Sequence, residues 1–92
     1  KIEKGMILSN EPGYYKKNHF GIRIENLLYA KQVKNKLFFE NLTLAPLEKD
    51  LINYKLLDKT EKDYLFKYHL NIYSKYSSSL NKKQRKWLGS LI

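Results

Sequence analysis

An α+β fold is predicted for this 92-residue chain by three features of its sequence. The first half consists of short apolar or alternating segments separated by turn-forming residues, the pattern of strands. Beyond Pro46 the character changes, and aromatic and aliphatic side chains recur at helical spacing from Tyr64 to Tyr76. Each of the two helical stretches opens with residues suited to a capping box. Strands joined by short loops favour antiparallel pairing, so residues 1–45 are expected to form antiparallel strands and residues 46–92 a helical extension.

The first element expected is a buried strand over the apolar run Gly5 to Ser9 (GMILS), ending at the turn-forming Asn10-Glu11-Pro12-Gly13. Pro12 has a fixed φ and no N–H, and it biases Glu11 towards an extended conformation, so the Glu11 side chain is aimed by its neighbour. Gly13 is expected to let the chain turn sharply. Tyr14 to Phe20 (YYKKNHF) reads as a hairpin loop with Lys16-Lys17-Asn18 at its tip. From Gly21 to Ala30 (GIRIENLLYA), Ile22 and Ile24 alternate with Arg23 and Glu25, which is strand period and sets Arg23 and Glu25 on one face. Lys31 to Lys36 is a polar turn, and Leu37 to Leu44 is a third strand that stops at Pro46.

Leu47 to Leu57 has irregular apolar spacing and suggests a helical turn with an extended linker. Asp58 with Glu61 three residues later forms a capping box, so a helix is predicted over Lys59 to Tyr76. Its stripe is Tyr64, Leu65, Tyr68, His69, Ile72, Tyr73 and Tyr76. Ser77 to Ser79 interrupts it. Asn81 and Gln84 repeat the capping logic for a short helix over Lys82 to Leu91, with Trp87, Leu88 and Leu91 facing inward.

Ninety-two residues allow one small domain, and the opening at Lys1, in the middle of a pattern, reads as a fragment or the tail of a longer polypeptide. No signal peptide is visible and no apolar run approaches the roughly 20 residues that span a membrane, so a cytoplasmic protein with no membrane partner is expected. The chain has no cysteine, which removes disulfides and thiolate metal sites. A formal charge of +9 invites a nucleic-acid reading, but only Lys82, Lys83, Arg85 and Lys86 cluster. The other lysines are scattered over a solvated surface, and no nucleic-acid partner is expected.

The functional argument rests on Ser9 to Asn26. Glu11 and Glu25 fall near the facing ends of two strands, and a carboxylate on a strand needs an ion partner, a hydrogen bond or a metal. Arg23 or a lysine can supply the first and a divalent cation the last, and spacing alone leaves both open.

The segments GMILSNEPGYY (5–15) and FGIRIENL (20–27) resemble the last two metal-ligand motifs of the pita-bread metallopeptidases, in particular the aminopeptidase P (Xaa-Pro aminopeptidase) family. NLTLAP, the leucine-rich 51–58 and KYH at 67–69 resemble the carboxy-terminal extension of its longer members. The resemblance implies the end of a pita-bread catalytic domain, followed by that extension. It also implies two divalent metal ions, most often Mn²⁺ with Co²⁺ or Zn²⁺ as alternatives, held by Asp, Asp, His, Glu and Glu in that order. Glu11 takes the fourth place, with a part in proton transfer, and Glu25 the fifth, bridging both ions. Arg23 and Tyr15 match positions that orient a ligating aspartate. Hard oxygen donors suit Mn²⁺, and two ions about 3.5–4 Å apart can share a hydroxide that attacks the peptide bond before proline. The implied substrates are peptides with proline second, and the complete enzyme is implied to form a homodimer through the extension.

The first three ligands have no counterpart here, because Asp50, Asp58 and Asp63 all follow the glutamates. His19 lies in the loop between the motifs, and His69 reads as a hydrogen-bonding core residue. The chain alone is therefore expected to be inactive. The alternative is a non-catalytic remnant or interaction module that uses the aromatic stripe of Tyr64, Tyr68, Tyr73, Tyr76 and Trp87 as a binding face; packing of that stripe is the competing explanation.

Overall fold

A computed structural model describes residues 1–92 and contains two compact units, 1–44 and 45–92. The first holds five strands: β1 (Ile7–Asn10), β2 (Gly13–Lys16), β3 (Phe20–Arg23), β4 (Asn26–Val33) and β5 (Lys36–Asn41). The second holds a 3₁₀ turn at Lys49–Leu51, helix α1 (Lys59–Tyr76), a 3₁₀ turn at Ser77–Ser79 and helix α2 (Lys82–Gly89). The α+β class expected from the sequence is the one observed. No helix is long and apolar enough to cross a membrane.

In the first unit β1, β4 and β5 form an antiparallel sheet in the order β1-β4-β5, and β2 pairs with β3 as a separate two-stranded ribbon. The two pairings share one register. β1 and β4 end with Asn10 opposite Asn26, and β2 and β3 begin with Gly13 opposite Arg23, so no residue is gained or lost on either strand between them. Across the gap Ile24 N–H still donates to the Pro12 carbonyl at 3.1 Å. Proline has no N–H to return that bond, which is why the ladder is interrupted at this point.

Several sequence expectations change here. Gly13 is a strand residue with no positive φ, so it is not a sharp turn. Tyr14 to Phe20 is not all loop: Tyr14, Tyr15, Lys16 and Phe20 are paired, and only Lys17, Asn18 and His19 turn the chain. Asn18 adopts the left-handed conformation at φ 59°, which Asn tolerates better than most residues, and His19 N–H donates to the Lys16 carbonyl at 3.0 Å. Likewise Lys31 to Val33 extends β4, leaving a two-residue turn at Lys34-Asn35 in which Lys34 has φ 54°. The strand expected over Gly21 to Ala30 is split at Ile24-Glu25, opposite Pro12 and Glu11. The run Gly5 to Ser9 is not buried: Ile7 and Met6 are exposed and Leu8 is half-buried, because no second layer covers them within this unit. Ala30 and Asn26 are its only buried side chains.

The second unit has its own small core. Tyr68, His69 and Ile72 on α1 and Leu88 on α2 are buried, with Ile72 at 1% exposure. Both capping boxes form: Asp58 accepts from Glu61 N–H at 2.8 Å while Glu61 accepts from Asp58 N–H at 2.9 Å, and Asn81 and Gln84 do the same. The Tyr68 hydroxyl donates to the Ala45 carbonyl at 2.7 Å, tying the start of this unit to α1. Trp87 departs from expectation at 61% exposure, and Tyr64 and Tyr76 are exposed as well. Neighbouring residues on a helix are about 100° apart, and Leu88 with the half-buried Leu91 takes the inward arc that leaves Trp87 outside.

Candidate metal centre

The shared register decides what the strands do with their polar residues. Carried one step past Asn10 and Asn26, it sets Glu11 opposite Glu25; one step further, Pro12 faces Ile24. The Ile24 to Pro12 bond marks that pair as hydrogen-bonded, and hydrogen-bonded and non-hydrogen-bonded pairs alternate along an antiparallel ladder. Glu11 and Glu25 therefore form a non-hydrogen-bonded pair, the type with the closer side chains. Residues two apart share a face, so Glu11, Gly13 and Tyr15 line one side of the ribbon together with Glu25, Arg23 and Gly21. The opposite face carries Tyr14, Phe20, Ile22 and Ile24, with the rings of Tyr14 and Phe20 6.0 Å apart.

Like charges directly opposite each other repel, and Arg23 is the cation that meets them. Its Nη1 donates to Glu11 Oε2 at 2.6 Å and its Nε donates to the Tyr15 hydroxyl at 2.7 Å, with the guanidinium carbon 5.7 Å from the Tyr15 ring centre. The Tyr15 hydroxyl, and then the charges of Glu11 and Glu25, push the Arg23 pKa above its ordinary value. The two side chains of the ion pair are 46% and 34% exposed, so water screens the attraction and the pair acts on geometry more than on stability. The Glu25 carboxylate makes no hydrogen bond and no ion pair within 4 Å, and acts on Arg23 only through its charge. The face thus presents one carboxylate held by arginine and one left open.

No group of three or more His, Asp, Glu or Cys side chains is gathered anywhere in the chain. His19 sits in the β2–β3 turn. His69 is 3% exposed and spans two backbone groups of its own unit: Leu47 N–H donates to Nε2 at 3.2 Å, which leaves Nδ1 to carry the proton and donate to the Leu65 carbonyl at 3.0 Å. Both ring nitrogens are engaged, and neither is offered to a ligand. Sequence reasoning missed Gly13 and Gly21 as part of this face. A Cβ on Gly21 would lie 2.5 Å from Tyr15 Cδ1, and one on Gly13 would lie 2.9 Å from the Tyr15 hydroxyl. Only the register exposes that relation, since Tyr15 and Gly21 are paired across the ribbon.

Residues 35–90 match the family described as the C-terminal region of peptidase_M24, and residues 1–32 match metallopeptidase family M24. The chain is 40% identical to aminopeptidase P2 of Arabidopsis thaliana, over 95% of this chain and 14% of that protein. It is 39% identical to a probable Xaa-Pro aminopeptidase P of Laccaria bicolor, over 95% of this chain and 15% of that protein. Its fold superposes with a TM-score of 0.82 on an X-prolyl aminopeptidase of Caenorhabditis elegans, described as a cytosolic enzyme with a di-nuclear active site. Sequence identity there is 30%, covering 98% of this chain and 16% of that one. The chain thus spans about a seventh of the length of the relatives it matches, in an architecture shared with a pita-bread aminopeptidase. This α+β chain belongs to the M24 metallopeptidase family, in which it matches the carboxy-terminal region.

Proposed function

We propose that the chain supplies the last two ligands, Glu11 and Glu25, of a dinuclear Xaa-Pro aminopeptidase that releases an N-terminal residue preceding proline. The observation that carries this reading is the register, which makes the two glutamates direct cross-strand neighbours while Arg23 engages only Glu11. The donors fit the metal in kind, as carboxylate oxygens suit a hard cation such as Mn²⁺, with Co²⁺ or Zn²⁺ as alternatives. They fall short in number, because two carboxylates do not complete the coordination of two ions and no third ligand joins them here. Two Asp and one His from outside these residues complete the set.

When bound, the ions supply Lewis acidity and lower the pKa of water. The chain's own residues have three tasks. Glu25, whose carboxylate has no hydrogen bond or ion pair, would be available to hold a cation. Glu11 has one oxygen held by Arg23 and keeps the other for a cation or for a proton passing to the departing amine. Arg23 and Tyr15 act on geometry, fixing where that second oxygen points. Residues 1–45 are, in this reading, the end of the catalytic domain, and 46–92 its helical extension, through which the complete enzyme dimerises. A cytoplasmic location is part of the reading and has its support in the nematode structure described as cytosolic.

The test uses the complete enzyme and Xaa-Pro peptides with Mn²⁺ titrated in. Glu25→Gln and Glu11→Gln should each lower kcat/KM by at least about 100-fold and weaken Mn²⁺ binding. Near-normal Mn²⁺ affinity in both variants would remove the assignment.

A further inference from the structure

Arg23 faces two carboxylates and bonds to one, and a cause for that choice lies on the strand opposite. Its Nε is anchored on the Tyr15 hydroxyl and its Nη1 reaches Glu11 Oε2. Tyr15 is the hinge of this arrangement, yet it is 61% exposed, so packing by larger side chains does not hold its ring. The ring lies where two side chains are missing. Gly21, its cross-strand partner, would place a Cβ 2.5 Å from Cδ1 and 2.9 Å from Cε1. Gly13, two residues before it on the same face, would place one 2.9 Å from Cε2 and from the hydroxyl. Contacts below about 3.0 Å are not tolerated by real Cβ atoms, so an added methyl at Gly21 forces the ring away near its root, where no small tip movement relieves the clash. Neither glycine has a positive φ, so backbone conformation does not explain them. A glycine inside a strand often marks a site where another group must come close, and here that group is the Tyr15 ring.

We infer that Gly21, assisted by Gly13, is a positioning residue: the space left by its missing side chain lays the Tyr15 ring along the ribbon, so that the hydroxyl anchors Arg23 towards Glu11 and leaves Glu25 unpaired. Gly21 acts through Tyr15 and touches neither carboxylate. The meaning of this for a bound metal rests on the assignment proposed above. The cradle itself is independent of metal, and the two are tested separately.

The experiment follows the Arg23 Nε–H signal and the contacts between Tyr15 ring protons and Gly21 Hα by NMR of the full 92-residue chain without metal, held below the concentration at which sedimentation velocity shows it to associate. The unaltered chain should show both the ring contacts and an Arg23 Nε–H signal distinct from that in Tyr15→Phe. In Gly21→Ala the ring contacts should vanish and the Arg23 signal should move to the Tyr15→Phe position. In a Tyr15→Ala background, adding Gly21→Ala should leave the Arg23 signal where Tyr15→Ala alone puts it. Should Gly21→Ala fail to fold, folding of Gly21→Ala combined with Tyr15→Ala locates the clash at the ring and supports the cradle. An unshifted Arg23 signal in Gly21→Ala overturns it, as does failure of the double variant to fold when Tyr15→Ala folds. Because no metal is present, either result leaves the fate of the Glu11 and Glu25 assignment to the Mn²⁺ titration.

Discussion

Arg23 has three acceptors around it, the Tyr15 hydroxyl, Glu11 and Glu25, and its fork geometry decides how they are shared. Nε and Nη1 point in fixed directions from a planar group, so holding Tyr15 with one and Glu11 with the other is a single posture. Lysine carries the same charge but has one point of attachment and cannot hold both. Arg23→Lys in the complete enzyme should therefore weaken Mn²⁺ binding by roughly 10–100-fold, as measured by titration calorimetry, while leaving the fold unchanged. The pH behaviour follows from the direction of the Arg23 shift. A basic group whose folded pKa is raised gives stability that is present below its unfolded value and is lost only as pH climbs past the folded one. For arginine that window lies above the range of ordinary handling. The stability difference between the unaltered chain and Arg23→Ala should thus show no loss from arginine deprotonation between about pH 7 and 10 in urea titrations; a difference that fades across that range contradicts the expected direction.

At the scale of elements, the turns and caps are the places where local sequence controls stability. The β4–β5 turn holds Lys34 at φ 54°, a conformation that costs a non-glycine residue about 1 kcal/mol. Lys34→Gly should stabilise the chain by about 0.5–1 kcal/mol in chemical denaturation, offset in part by the greater entropy of the unfolded chain. The capping box of α1 works in the other direction. Asp58 accepts from Glu61 N–H at 2.8 Å, and Asp58→Ala removes that acceptor. A loss of about 0.5–2 kcal/mol is expected, read from the unfolding of residues 45–92 by helical circular dichroism. These elements were legible in advance. The bounds of α1, Lys59 to Tyr76, are those that Asp58, Glu61 and the Ser77 break indicate. The β2–β3 ribbon was less legible, because YYKKNHF is polar enough to read as loop and only cross-strand pairing with Phe20, Gly21 and Ile22 shows its first residues to be strand.

For the whole molecule the relevant contrast is between its two units. Residues 45–92 bury Tyr68, His69, Ile72 and Leu88, whereas residues 1–44 bury only Ala30 and Asn26 and leave Phe38, Phe39, Ile22, Phe20 and Tyr14 exposed. Exposed apolar faces and strand edges of this kind promote association. Purified on its own, the 92-residue chain should self-associate in sedimentation velocity runs, and raising the salt should not disperse it, as the attraction is apolar and its charge of +9 opposes it. It should also show no hydrolysis of Xaa-Pro peptides with Mn²⁺ present, since only two carboxylates are available. Measurable turnover by this chain would sink the ligand count on which the proposed function depends.

The sequence by itself determined the α+β class, both capped helices and the buried and hydrogen-bonded role of His69, and it singled out the pair of glutamates proposed above as ligands. Each of these rests on local information: periodicity, capping spacing and the wording of two short motifs. What only the tertiary structure decided is relational. That Glu11 stands opposite Glu25 follows from a register carried without slip across Pro12, and no residue near either glutamate encodes it. That Arg23 takes Glu11 and leaves Glu25 free follows from the place of the Tyr15 ring, which rests on a glycine six residues away. That Trp87 faces outward follows from Leu88 occupying the inward arc of α2. Local pattern specifies which residues lie on a face, and pairing between distant strands specifies which faces, and therefore which charges, meet.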